Sequence, residues 1–209
     1  MKKVLIIIIL AIIFFITGIK ASLPLSGKYI IIDVGHGGID VGTSYNNILE
    51  KDINLSISKI LESVLIRNGA SVRLTRDGDY DLASPNVKYR KKSDFDNRIR
   101  LINNSKCDMY LSIHTNYLSD SSYYGAQVFY YNNNKKLADS IQSRLNSISY
   151  PRNTKVMPNI YMYKNLNKKG VLIEVGFLSN SYERNMLLNK DYQYKLSKEI
   201  VNGLIDYYN

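Results

Sequence analysis

Apolar residues along the chain follow two patterns: short continuous or alternating runs, and longer segments with an apolar residue at every third or fourth position. Short runs rich in β-branched residues predict buried strands. The predicted strands are Lys28–Asp33, Ser71–Thr75, Asp108–His114, Gly125–Tyr131 and Gly170–Val175. Longer segments repeat apolar residues every three or four positions, which is typical of amphipathic helices. The predicted helices are Leu49–Asn68, a helix capped by Ser93 that runs through Ile102, a helix through Leu137 and Leu145, and Tyr192–Tyr208.

The alternation of strands and helices predicts an α/β fold. We expect a three-layer sandwich in which a mostly parallel, twisted sheet is flanked by helices on both faces. The charged segment Asp77–Lys92 contains Gly78 and Pro85 and predicts an exposed loop. In open α/β sheets, ligands bind beyond the carboxyl ends of the strands. Functional side chains are therefore expected where the predicted strands end.

The first residues differ from the rest of the chain. Lys2 and Lys3 precede sixteen uncharged, mostly apolar residues, Val4–Ile19. This pattern predicts a signal peptide or a short membrane anchor over residues 1–27, followed by one domain over residues 28–209. Lys20 fits a small-residue cleavage site poorly, so both fates of the leader stay open. A buried core helix is the alternative interpretation.

The composition excludes several kinds of metal site and indicates which partners the protein is expected to bind. The 209 residues include 28 Lys+Arg and 18 Asp+Glu, a formal net charge of +10. One cysteine and two histidines exclude an internal disulfide, a multi-cysteine metal cluster and a three-histidine metal site. An exported basic domain is expected to meet anionic wall polymers or lipid head groups. Nucleic acid is not expected, since no helix-turn-helix, zinc-finger or RNP-type pattern occurs.

Four residues able to carry chemistry lie at or beside the predicted element ends. His36 follows the first strand, His114 ends the third, Glu50 opens the first helix, and Glu174 lies near the end of the last strand. Two imidazoles and one carboxylate are a ligand set of catalytic zinc, with the fourth position left to water. A carboxylate inside an apolar strand is costly unless it is paired, protonated or beside solvent, so Glu174 needs an explanation. Asp33 is a candidate partner for the second nitrogen of a ligand histidine.

Each of these residues also has a structural interpretation. A lone histidine is more often a core or surface residue than a ligand. Glu50 alone would be a favourable acid in the first turn of a helix. Glu174 alone could be the buried salt-bridge partner of Arg76 or Arg98. Tyr161 and Tyr163 alternate in a short segment and either line a groove or pack in the core.

Six motifs occur in the order in which they occur in a known family. They are Asp33-Val34-Gly35-His36-Gly37-Gly38, Glu50-Lys51-Asp52, Leu74-Thr75-Arg76, Arg98 with Asn103, Ser112-Ile113-His114-Thr115-Asn116 and Glu174-Val175-Gly176-Phe177-Leu178-Ser179-Asn180. Together they resemble the zinc-dependent N-acetylmuramoyl-L-alanine amidases of the amidase-3 type over residues 28–207. The resemblance implies that His36, Glu50 and His114 bind Zn²⁺ and that Glu174 is the catalytic acid and base.

The resemblance also implies a reaction and a location. The expected reaction is hydrolysis of the amide between N-acetylmuramic acid and L-alanine in peptidoglycan. The short build is most similar to the spore-cortex subgroup, in which removal of the stem peptide prepares muramic-δ-lactam formation. The protein is then expected outside the cytoplasm, at the cell wall or a membrane, including the forespore intermembrane space, with a regulatory or targeting protein as a further partner. The alternatives are a zinc peptidase acting on wall peptides and an inactive peptidoglycan-binding protein.

Overall fold

The computed structural model describes residues 22–131 and 133–209. Most of the predicted leader, residues 1–21, lies outside the described residues, so its fate stays a prediction. Within the described ranges, no helix combines the length and the apolar character needed to cross a bilayer. Leu25 is the first residue of the described chain to be fully buried, and its N–H donates to the carbonyl of Asn68. The packed part of the described chain therefore begins a few residues before the first predicted strand.

The helices and strands follow the predicted alternation. The strands are β1 (Tyr29–Val34), β2 (Ser44–Tyr45), β3 (Ile48–Leu49), β4 (Ser71–Leu74), β5 (Met109–Asn116), β6 (Gln127–Tyr130), β7 (Lys155–Val156) and β8 (Gly170–Phe177). The helices are α1 (Glu50–Arg67), α2 (Arg90–Asn103), α3 (Lys135–Leu145), α4 (Tyr161–Lys164), α5 (Ser181–Leu188) and α6 (Lys190–Tyr208). The sequence does not predict the hairpin β2–β3, the strand β7 or the helices α4 and α5, because each is short or lacks a clear apolar period.

The main sheet has the order β4-β1-β5-β8-β6-β7. Strands β4, β1, β5 and β8 are parallel neighbours, β6 is antiparallel to β8, and β7 is parallel to β6. The mostly parallel sheet is confirmed. The register pairs His114 of β5 with Glu174 of β8. The carboxyl ends of β1, β5 and β8 therefore share one edge of the sheet, as the ligand-binding rule for this class requires.

Alternate residues of each central strand face two separate cores. Ile30 and Ile32 of β1 belong to the larger core, which contains the buried faces of α1, α3 and α6. Ile31 belongs to the second core, with Ile102 of α2 and Met162 of α4. This period of two places helices on both faces of the sheet, which confirms the three-layer sandwich.

The predicted cap of the second helix is wrong. The helix α2 begins at Arg90, so Ser93 lies in its first turn and its N–H donates to the carbonyl of Tyr89. The Ser93 hydroxyl instead accepts a 3.0 Å hydrogen bond from the Ser84 N–H. The preceding loop folds back on the helix, and this tertiary contact uses the side chain that local capping preference would assign to the helix end.

A buried ionic network lies beneath the edge where the strands end. Arg98 is 2% exposed and donates 2.8 Å hydrogen bonds to Asp94 and to Asp33, which is 1% exposed. It also donates to the carbonyls of Val34 and His36, at 2.7 and 2.8 Å. The Arg98 guanidinium is therefore the charge that makes burial of Asp33 tolerable.

Replacing this guanidinium is expected to destabilise the fold strongly. Arg98→Met should lower the free energy of unfolding by about 3–5 kcal/mol, because Asp33 stays buried without its partner. Urea unfolding measures the loss. The matched control is Lys92→Met on the same helix, whose ion pair with Asp96 (2.7 Å) is largely exposed and should contribute little. Equal losses in the two variants would show that the buried pair is not stabilising.

Candidate metal centre

Three candidate ligands converge from distant parts of the chain. His36 lies in the loop after β1, Glu50 is the first residue of α1, and His114 lies on β5. One ligand atom from each lies within 4.8 Å of the others. The Glu50 Oε1 atom is 3.2 Å from His36 Nε2 and 3.0 Å from His114 Nδ1. The three side chains therefore meet at one point, and their role as metal ligands stays a prediction.

The spacing suits one small divalent ion. Tetrahedral zinc with bonds of about 2.0–2.1 Å separates neighbouring ligand atoms by roughly 3.3 Å, close to the two distances from Glu50 Oε1 to the imidazole nitrogens. Burial acts to raise the pKa of Glu50, but the two adjacent imidazoles overcome it and hold the pKa well below its usual range. Burial acts to lower the pKa of His36, and Asp40 and Glu50 raise it to about 9. Glu50 is therefore a carboxylate anion placed between two nitrogen donors.

The loop after β1 holds His36 in an unusual conformation. His36 has φ 60°, in the left-handed region that non-glycine residues rarely adopt. Its carbonyl accepts hydrogen bonds from Arg98 Nη2 (2.8 Å) and Arg76 Nε (2.6 Å), both buried side chains. At Gly35, a Cβ atom would come within 2.5 Å of the His114 ring. The close approach of the two histidines thus requires glycine at this position, with two arginines holding the loop.

Glu50 is more than a favourable charge in the first turn of a helix. It is 3% exposed, and its Oε2 atom accepts hydrogen bonds from the N–H and the hydroxyl of Thr43, at 2.8 and 3.1 Å. Its Oε1 atom accepts from the Thr115 N–H and from Asn54 Nδ2, each at 3.2 Å. These donors fix the carboxylate so that Oε1 faces both imidazoles.

The outer nitrogens of the histidines lie close to groups that the sequence did not indicate. The Asp40 Oδ2 atom lies 3.0 Å from His36 Nδ1, and the Tyr163 hydroxyl lies 3.3 Å from His114 Nε2. Asp33, the candidate for this role, makes no hydrogen bond to either ring within the described residues. It instead accepts a 2.6 Å hydrogen bond from Ser112, whose hydroxyl lies 3.0 Å from that of Tyr163. Three hydrogen bonds, through Ser112 and Tyr163, thus link Asp33 to His114.

Sequence signals for these partners were weak. Asp40 follows His36 by four residues in a glycine-rich loop, where an acid has no periodic context. Tyr163 is 5% exposed, belongs to the second core and also lines the cleft at the metal centre, so both of its predicted roles hold.

Glu174 lies beside the three ligands but outside their group. Its strand β8 pairs with β5 so that Glu174 is directly opposite His114. Within the described residues its Oε2 atom is buried and has no hydrogen-bond partner. Arg76 and Arg98 bind other groups, so the alternative that either arginine pairs with Glu174 is wrong. Burial, and then the charge of Glu50, raise the pKa of Glu174 to about 8.

A cleft of about 330 Å³ opens over these residues. His36, His114 and Glu174 line its floor, and Phe95, Ile160, Met162 and Leu172 are among its apolar walls. A carboxyl group with a pKa near neutrality, facing such a cleft beside a candidate metal ligand set, can accept and return a proton. The arrangement suits metal-assisted hydrolysis of a substrate that enters the cleft.

Comparisons with known proteins agree with this architecture. Residues 30–206 match the Amidase_3 family, N-acetylmuramoyl-L-alanine amidase. The germination-specific N-acetylmuramoyl-L-alanine amidase of Bacillus subtilis is 42% identical over 195 residues, covering 90% of this chain and 82% of that protein. The probable cell wall amidase LytH of Staphylococcus aureus is 31% identical over 194 residues, covering 90% of this chain and 61% of that protein.

Solved structures give the same result. The CwlD amidase of Clostridioides difficile, solved in complex with the GerS lipoprotein, has a TM-score of 0.83 and 37% identity. The match covers 87% of this chain and 98% of that one. A second amidase, from Clostridium difficile 630, has a TM-score of 0.77 and 31% identity. On the match of 177 positions, from residue 30 to residue 206, the chain belongs to the Amidase_3 family of N-acetylmuramoyl-L-alanine amidases.

Proposed function

We propose that the protein is a zinc-dependent amidase that cleaves the bond between the lactyl group of N-acetylmuramic acid and L-alanine in peptidoglycan. The observation that carries the proposal is the convergence of His36, Glu50 and His114 within 4.8 Å, with Glu174 opposite His114 in the sheet register. His36 Nε2, His114 Nδ1 and Glu50 Oε1 would hold the ion. When bound, Zn²⁺ supplies a Lewis acid that polarises the scissile carbonyl and acidifies water beside it.

Glu174 carries the proton transfers in this mechanism. Its carboxylate takes a proton from the attacking water as the new carbon–oxygen bond forms. The same proton then passes to the alanine nitrogen as the carbon–nitrogen bond breaks, which yields a lactyl carboxylic acid and a free amine. The acid then loses its remaining proton, which leaves a carboxylate and an ammonium group at neutral pH. Its buried setting supports a pKa suited to both steps, and general acid–base catalysis of this kind contributes roughly 10²–10⁴-fold.

The product of digestion tests this function. Purified peptidoglycan incubated with the protein and Zn²⁺ should release intact stem peptides that begin with free L-alanine, leaving muramic acid without peptide. Muropeptide mass spectrometry detects both products, and a chelator should remove the activity. Cleavage within the stem peptide would identify a peptidase instead, and binding without new products would identify a binding protein.

The spore cortex is the proposed site of action, outside the cytoplasm. The 42% identical relative from Bacillus subtilis is named as germination-specific, and such an amidase would prepare muramic acid for lactam formation. The Clostridioides difficile relative was solved with a lipoprotein, which supports a protein partner for this chain too. Spores of a deletion strain should then lack muramic-δ-lactam. A normal lactam content would place the enzyme elsewhere in the wall.

Tyr163 is expected to strengthen zinc binding through His114. Tyr163→Phe removes the hydroxyl that lies 3.3 Å from His114 Nε2 and frees the ring to turn. Loss of such an outer partner typically weakens metal affinity about 10–100-fold, and we expect the lower end of that range. Competition with a chelating dye measures the affinity.

The neighbouring tyrosine provides the control for this change. Tyr161→Phe removes a hydroxyl that donates to Asp96 on the protein surface, away from the imidazoles. It should leave zinc affinity unchanged. Equal affinities for the Tyr163→Phe variant and the unmodified protein would show that the hydroxyl does not position His114.

A further inference from the structure

We infer that the edge of the sheet opposite the metal centre is a docking surface for an anionic lipid bilayer. Three lysines and two tyrosines form this surface, here called the lysine–tyrosine face: Lys28, Lys136, Lys169, Tyr207 and Tyr208. Neither the proposed reaction nor the candidate metal centre uses any of them.

The strand directions place this face away from the cleft. Lys28 immediately precedes β1 and Lys169 immediately precedes β8, whereas His36 and Glu174 lie at or near the other ends of those strands. The carbonyl of Lys169 accepts a hydrogen bond from the Tyr110 N–H near the start of β5. At about 3.3 Å per residue, the step from Gly170 to Glu174 alone spans roughly 13 Å. A bilayer at the lysine–tyrosine face would therefore leave the cleft open.

The lysines of the face gather around the tyrosine pair at the end of α6. Lys28 Nζ lies 4.2 Å from the centroid of the Tyr208 ring. Lys169 Nζ donates a 2.6 Å hydrogen bond to the Tyr207 hydroxyl, and Lys136 Nζ lies 5.8 Å from the centroid of the same ring. The two rings are 5.3 Å apart. Three cations thus share one small aromatic cluster.

The three lysines of the face form no ion pair within the described residues. Within the described part of the chain, no carboxylate oxygen lies within 4.0 Å of the three ammonium groups, whereas Lys92 and Lys135 each pair with an aspartate four residues on. Asp108 is the acid at this edge, and its Oδ2 atom accepts a hydrogen bond from the Tyr29 N–H. Three lysines against one aspartate leave the face positive.

Ammonium groups beside half-buried tyrosine rings suit the head-group region of an anionic bilayer. Lysines near such a surface attract it electrostatically, and tyrosine places an apolar ring and a polar hydroxyl across the interface. The apolar run Val4–Ile19 ends nine residues before Lys28, so the intervening chain spans at most about 30 Å. A bilayer that takes up this run lies within reach of the face. With the face docked on the bilayer, the cleft would point away from the membrane and toward the wall. This last consequence rests on the proposed function.

Vesicle binding by residues 22–209 tests the face without the apolar run. Both hydrophobic cores are built from residues between Leu25 and Leu204, and 87% of this chain covers 98% of the solved Clostridioides difficile chain. Residues 22–209 contain both of these cores, and we expect them to fold without the apolar run. We expect co-sedimentation with vesicles of equal parts phosphatidylglycerol and phosphatidylcholine, and none with phosphatidylcholine alone. At about 1 M salt, where the Debye length is about 3 Å, binding should disappear.

Replacing the three lysines of the face tests whether vesicles bind at this face. The triple variant Lys28→Gln, Lys136→Gln, Lys169→Gln should bind the anionic vesicles about a hundredfold more weakly, at roughly 1 kcal/mol for each lysine. The matched control removes three exposed lysines that do not belong to the lysine–tyrosine face, Lys59, Lys88 and Lys195, with the same substitutions. The control should bind within about twofold of the unmodified protein, since its lysines are remote from the tyrosine pair.

Three outcomes would overturn the inference. They are equal binding to both kinds of vesicle, equal losses in the triple variant and its control, and lysine-dependent binding to peptidoglycan sacculi with none to vesicles. The last result would assign the face to wall polymer. Muropeptide analysis of the same variants separates this test from the proposed reaction, because the triple variant should digest solubilised peptidoglycan at the unmodified rate.

Discussion

Glu174→Gln is expected to lose roughly 10²–10⁴-fold in peptidoglycan hydrolysis while keeping its metal. The amide matches the carboxylate in shape but cannot take a proton from water or return it to the leaving amine. Glu174 lies opposite His114 and outside the group of three ligands, so zinc content by elemental analysis should not change. Release of stem peptides, followed by mass spectrometry, measures the loss. Glu199→Gln on α6 is the control and should be fully active.

The same variant is expected to be more stable when zinc is withheld. The pKa of Glu174 is about 8 in the folded protein against 4.5 for an unperturbed group, so the folded state holds more protons between these values. The contribution of Glu174 to the stability of the unmodified protein therefore falls as pH rises from about 4.5 through 8. Glu174→Gln does not titrate and should avoid this fall, a gain of about 2–4 kcal/mol at pH 7.

Two results would contradict the role of Glu174. The first is digestion by Glu174→Gln at a rate within about twofold of the unmodified protein. The second is a stability gain that is independent of pH, which would mean that the carboxyl is not held in a costly environment. Urea unfolding at pH 4.5 and at pH 7 in the presence of chelator gives the second measurement.

His114→Ala is expected to lose both zinc and activity. The change removes one of two nitrogen donors and leaves Glu50 Oε1 with a single imidazole at 3.2 Å. The Lewis acid contributes several kcal/mol to a hydrolysis of this kind, so the rate should fall by about 10³-fold or more. Elemental analysis after gel filtration should find little zinc.

A thermal shift separates loss of metal from loss of fold. Zinc at about a hundredfold above its dissociation constant stabilises a binding protein by about 2.7 kcal/mol, so it should raise the melting temperature of the unmodified protein. It should leave that of His114→Ala unchanged. Tyr163→Phe is the graded control, since it keeps all three ligands and should still respond at higher zinc. Full zinc content in His114→Ala would remove His114 from the ligand set.

Local pattern was sufficient for most of the fold. Alternating periods predicted β1, β4, β5, β6, β8 and the helices α1, α3 and α6 to within a few residues, because burial of one face or both leaves a repeating trace in the chain. The short elements have too few residues to show such a repeat. The start of α2 was misplaced, since Ser93 resembles a local cap but its hydroxyl is used by the Ser84 backbone.

The sequence predicted which residues form the candidate site, but it predicted few of the hydrogen bonds that hold them. The two histidines and two glutamates were expected to meet because parallel strands end at one edge of the sheet. Asp40, Tyr163 and Ser112 were not identified as partners of the imidazoles or of Asp33. A hydrogen bond between residues far apart in sequence depends on loop path and side-chain rotamer, which periodicity does not record.

By itself, the amino-acid sequence determined the α/β class, the mostly parallel sheet and the residues able to bind a metal or move a proton, since these follow from periodic burial and side-chain chemistry. Only the tertiary structure decided which imidazole nitrogen faces Glu50, that Arg98 neutralises Asp33 beneath the site, and that Glu174 Oε2 is buried without a hydrogen bond in the described residues. The physical reason is that each depends on atoms brought together from several elements, whose directions are set when the sheet and its two cores pack.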